Sequence, residues 1–291
     1  MSEAELDAKT AIEIALRGGA IPALAAVALF ILIGWLWPRE VARRYRCGVA
    51  FTVGTFIGLV LLPSTTTLAP SQFWDWIPYL GILAAFLSGL TRAEGVTRSE
   101  RWTTVYVIAP IAAWMIVPKW PELVPTWQIQ WAGLSLAIML VTALLYPFPQ
   151  LLPARAFPWW LMLAAATTSV LLFDQSETFG MLAALPAGAL AGCGAAALFV
   201  RELPDWRSIV LPYVIVALGY AYTGAVYPSE PQWLLLLVPI APLALWICSV
   251  GPLARASGAR AVAIQAACVI VPLVTIAALL LANTSGAANG W

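Results

Sequence analysis

Ten apolar stretches, each 16 to 22 residues long and uncharged through its middle, take up most of this chain. They run near 20–37, 47–63, 74–90, 103–118, 128–146, 157–173, 179–200, 208–227, 232–250 and 261–282. A hydrocarbon layer about 30 Å thick is crossed by about 20 apolar residues in an α-helix. Each stretch therefore has the length of a membrane span. The stretches are continuously apolar, whereas barrel strands alternate and are about half as long, so helices are predicted. Charged residues make up 10% of the chain and hydrophobic ones 62%, with mean hydropathy +0.88. A water-soluble domain carries about 25% charged residues and could not hide this much apolar surface. The predicted fold is an all-α polytopic bundle of about ten spans over 20–291, preceded by a short amphipathic segment over 1–19. That segment opens on a capping box from Ser2 to Glu5 and is expected to break at Gly18-Gly19.

The charges orient this frame. Twelve of the fifteen basic residues, with five of the fourteen acids, fall in connections on one side of the ten-span arrangement. The other side holds Lys9, Arg17 and Lys119 with the remaining nine acids. Short basic connections stay cytoplasmic, which puts both termini outside and the chain in a cell membrane, most simply a bacterial inner membrane. Tryptophans gather near run ends, as indoles do at a lipid–water interface.

All 29 charged residues map to connections or run ends, so no buried carboxylate marks a proton relay. The chain has no histidine, which excludes haem held by histidine, Ser–His hydrolysis and histidine-based metal sites. Cys47, Cys193, Cys248 and Cys268 form no CxxC pair and read as small core residues. No catalytic residue, metal or cofactor is assigned. No phosphate-binding loop or nucleic-acid module is present. The expected partner is the lipid bilayer, with other membrane subunits as the second class.

Four groups of residues remain as candidates. Thr168, Tyr213, Tyr220, Thr223 and Gln265 are neutral polar groups inside spans, and Pro239 and Pro242 interrupt the ninth. Together they could line a cavity for a neutral or zwitterionic ligand, or simply bond neighbouring helices. Asp75, Asp174, Glu177 and Glu230 fall at the outer rim, where acids among tryptophans could attract a cation or mark a solvated loop face. Gly188 and Gly192 form GxxxG, a pattern for close helix packing. Arg39, Arg43, Arg44 and Arg46 form a cluster suited to anionic headgroups or to orientation alone. The leading expectation is a non-catalytic membrane scaffold or complex subunit. A permease for a small neutral, zwitterionic or lipid-like solute is the alternative, followed by a membrane-surface transferase.

Overall fold

The computed structural model describes residues 15–62, 69–91, 97–152, 155–200, 204–228, 232–249, 253 and 258–288. Glu230 and most of the N-terminal segment lie outside these residues. The described residues are mostly helical, with no strand among them. After a π-helical turn at Ala15–Ala20 come α1 (Ile21–Leu36), α2 (Arg39–Val60), α3 (Trp76–Leu90), α4 (Arg98–Ile116) and α5 (Trp127–Leu145). Then follow the short α6 (Phe148–Leu151), α7 (Phe157–Phe173), α8 (Glu177–Phe199), α9 (Arg207–Val226), the short α10 (Leu245–Cys248) and α11 (Gly258–Ala288).

Six segments are long and apolar enough to cross a membrane: Leu16–Leu36, Phe73–Leu90, Trp127–Leu151, Glu177–Phe199, Arg207–Val226 and Gly258–Ala282. The other predicted runs fall short for physical reasons. Charged first turns leave α2 and α4 with shorter apolar lengths. α7 has 17 residues.

The ninth run departs most from expectation. It forms two 3₁₀ turns, Trp233–Leu237 and Ala241–Ala244, running into α10. Pro239 and Pro242 have no N–H to give to carbonyls four residues back. The backbone instead closes three-residue bonds, Val238 N–H to Leu235 O (3.2 Å) and Ala241 N–H to Val238 O (3.1 Å). The carbonyl of Pro239 accepts a hydrogen bond from the Tyr213 hydroxyl on α9 at 3.0 Å.

A second departure lies at the start of the chain. Gly18 and Gly19 do not stop the helix, which widens into a π turn and continues into α1. There the missing side chains serve contact. A Cβ on Gly188 would lie 2.3 Å from the Gly19 carbonyl oxygen, and one on Gly192 would lie 2.2 Å from that of Ala23. α1 and α8 thus run side by side in backbone contact. In lipid such contact matters, because hydrocarbon around the helices removes the hydrophobic drive between them.

α9 is the centre of the bundle. Every residue from Ser208 to Val226 is buried. It packs on α2, α3, α4, α5, α7, α8 and the Trp233–Leu237 turn. α1 and α11 lie at the periphery and turn large apolar side chains outward, among them Leu24, Ile31 and Trp35 on α1 and Val271, Val274 and Leu279 on α11. An exterior of this kind suits hydrocarbon and is unfavourable in water. The Gly48 N–H donates to Ser208 Oγ at 3.2 Å, joining the middle of α2 to the start of α9, and Arg46 Nε donates to the Phe30 carbonyl at 2.6 Å, joining α2 to α1.

A polar cavity at the arginine-bearing end

The starts of α4 and α9 and the ends of α3 and α5 enclose a cavity of about 330 Å³. That volume is within the range of small-molecule sites. Local sequence places each wall. Thr97 and Glu100 form a capping box that starts α4: Glu100 N–H donates to Thr97 Oγ1 (3.3 Å), and Thr97 N–H to Glu100 Oε2 (2.7 Å). This sets Arg101 and Trp102 on the first turn facing the cavity. Asp205 accepts from Arg207 N–H at 3.1 Å just before α9, which brings Arg207 and Leu211 to the opposite wall. α5 contributes Thr142 and Tyr146 before Pro147 ends it, and α3 contributes Ser88 and Thr91.

The two guanidiniums in the wall differ. Arg207 pairs with Asp205, its Nε 3.0 Å from Oδ1 and its Nη2 3.3 Å from Oδ2, and its guanidinium carbon lies 5.7 Å from the centre of the Tyr146 ring. Arg101 Nε is buried and has no hydrogen-bond partner among the described residues. Among the described residues, the lining contains no carboxylate.

Thr142 stands apart from the other intrahelical threonines. Thr52, Thr55, Thr167, Thr168, Thr223 and Thr275 each donate to the carbonyl four residues back. Thr142 is 1% exposed, and its hydroxyl bonds to nothing among the described residues. A buried hydroxyl without a partner costs about 1–3 kcal/mol.

The residues expected to line a cavity lie elsewhere. Thr168 and Thr223 turn back onto their own helices at 3.0 Å. Tyr213 is bonded to Pro239, while Pro242 opens the second 3₁₀ turn. Gln265 Oε1 on α11 accepts from Trp160 Nε1 on α7 at 3.2 Å. Tyr220 is 2% exposed, with its hydroxyl unpartnered among the described residues. None of these seven lines the arginine-end cavity or a second, apolar groove of about 460 Å³ between α5, α9 and the Trp233–Leu237 turn.

The Trp160–Gln265 bond yields a direct prediction. Trp160→Phe and Gln265→Leu each leave one partner unsatisfied and should each cost about 1–2 kcal/mol. The double variant should cost less than their sum, as a double-mutant cycle of unfolding midpoints will show.

At the other end of the bundle, Asp75 acts as a cap. Its Oδ2 accepts from the N–H groups of Ser71 and Gln72, both at 2.9 Å, and from Ser71 Oγ at 3.1 Å. Asp174 follows α7 and Glu177 begins α8, both exposed. In the arginine cluster, Arg39 and Arg43 are exposed and Arg44 half-buried. Arg46 is drawn inward, with its guanidinium 4.1 Å above the Phe30 ring. Cys248 and Cys268, on α10 and α11, bring their thiols to 3.0 Å, and none of the four cysteines forms a disulfide.

The cavity residues drew no attention in the sequence because they come from four separate run ends. The available signal was Thr142, a hydroxyl one turn before the Tyr146-Pro147 stop, in the run over 128–146. The class defined by this fold is an all-helical bundle with six helices long and apolar enough to cross a membrane, compatible with a membrane protein. No family model matches the chain, and no curated protein and no solved structure matches it.

Proposed function

We propose that this is a ten-crossing membrane protein, both termini outside, that takes a small polar ligand into its arginine-end cavity from the cytoplasm without reacting it. The crossing number is supported by the six apolar helices together with four shorter runs between charged turns. The orientation is supported by the basic connections. The role is that of a ligand-binding scaffold or complex subunit. The observation that carries it is the nearly fully buried Thr142 hydroxyl sharing a cavity with the Nε of Arg101, both without a hydrogen-bond partner among the described residues. Groups kept unsatisfied at a cost of this size are typical of places that await a partner.

Recognition is favoured over chemistry by the wall itself. Guanidinium, hydroxyl and indole groups hold a ligand, but activating a hydroxyl as a nucleophile requires an adjacent base. Binding is favoured over passage because the cavity stops at Leu211, beyond which α9 is packed on all sides.

The test is access. Thr91→Cys should react with a membrane-impermeant maleimide in inside-out vesicles and not in right-side-out ones, with the wild-type chain supplying the background. Reaction from the opposite side would overturn the orientation. Failure to react from either side would overturn the open cavity.

A further inference from the structure

We infer that the arginine-end cavity is an oxyanion site that takes a phosphate-type group. The inference rests on the reading above that the cavity is open to ligand. Its electrostatics select the class. Of the two guanidiniums in the wall, Arg207 is already matched by Asp205 in a two-point contact. Among the described residues, Arg101 has no carboxylate beside it in the lining. Asp205, Arg207 and Arg101 together thus leave one positive charge. Glu100, the acid next to Arg101 in sequence, is held in the Thr97 capping box through Oε2.

A guanidinium drawn into a half-buried, partly apolar wall loses hydration, and an anion restores the balance. A guanidinium fork and a hydroxyl donor are also the groups that hold phosphate oxygens. Thr142 supplies that hydroxyl. It has released the carbonyl of Ile138, four residues back, which the other intrahelical threonines' pattern would have it take, and its Oγ1 is left with a proton to give. Gln150 at the rim of the cavity is exposed, so the group could arrive from water or as the head of a lipid.

The experiment uses the full chain in phosphatidylcholine nanodiscs. One arm titrates inorganic phosphate at constant ionic strength and follows radiolabelled phosphate bound and the unfolding midpoint. The other replaces part of the phosphatidylcholine with phosphatidylglycerol and follows the midpoint and the lipid retained in native mass spectrometry. Saturable binding in the first arm identifies a soluble oxyanion. Binding in the second arm alone identifies a lipid headgroup.

In whichever arm responds, Arg101→Gln should weaken binding about tenfold or more, and Thr142→Val about threefold to tenfold. Lys119→Gln, at an exposed position outside the cavity, should leave it unchanged. Thr142→Val keeps the side-chain shape, so the test survives if Arg101→Gln does not fold. With no anion present its unfolding midpoint should hold or rise, because the change removes an unbonded buried hydroxyl. A residue kept for packing alone would not separate the two effects. No binding in either arm, or binding that both cavity variants leave unchanged, overturns the inference. If Thr91→Cys labels from the cytoplasmic side and neither anion binds, the open cavity stands and only the oxyanion assignment fails. If Thr91→Cys is inaccessible, the functional reading fails first.

Discussion

Gly192→Leu is expected to yield no folded protein after mild detergent extraction, and Gly192→Ala a protein destabilised by about 3 kcal/mol or more. A Cβ at this position would lie 2.2 Å from the carbonyl oxygen of Ala23 and 2.9 Å from its Cα. These are backbone atoms, so no side-chain rotation relieves the clash; one helix must move. The same displacement would open the Gly188–Gly19 contact one turn away, at 2.3 Å. Size-exclusion profiles and thermal unfolding midpoints will measure the loss. Gly133→Ala is the matched control. Nothing lies within 4 Å of a Cβ there, so relief of backbone entropy should leave stability equal or about 0.5–1 kcal/mol higher. A wild-type midpoint for Gly192→Ala would mean that α1 does not lie against α8.

Trp74→Ala should cost about 3 kcal/mol, close to the loss from emptying a core aromatic position. The indole packs edge-on against Phe73, Phe179 and Tyr227, with ring centres 4.7, 5.3 and 5.8 Å away, and Phe179 and Tyr227 meet each other at 4.8 Å. Removing it unties three elements at once: the turn ahead of α3, the start of α8 and the end of α9. Trp74→Phe should keep most of the stability, since each ring pair contributes about 0.5–1.5 kcal/mol and a smaller ring still fills the space. Trp35→Ala should change the midpoint little, because Trp35 is 81% exposed and buries little of its ring against the protein. Equal losses at both tryptophans would contradict the packing described here.

The contrast between these two tryptophans shows how far the sequence could be read. Both stand near run ends, and composition alone assigns both to an interfacial belt. Only packing separates a cluster-forming indole from an outward one. Asp75 is a similar case. In sequence it is an acid between two tryptophans at a rim; in the fold it binds the backbone that enters α3. The prolines were more informative. A missing N–H is a local property, so Pro239 and Pro242 marked a break in the ninth run before any neighbour was known. Glycine went both ways. The Gly188 and Gly192 spacing indicated a small face, whereas Gly18-Gly19 suggested a stop and instead became the surface that face meets.

By itself the sequence determined the helical class and the positions of most apolar runs. These follow from hydrophobic length and from backbone hydrogen bonding within one segment, which are properties of consecutive residues. Only the tertiary structure decided which helix is central, which polar groups are satisfied and where a cavity opens. Arg101, Thr142 and Arg207 are distant in the chain, and whether a hydroxyl is bonded or left free depends on what other helices place beside it.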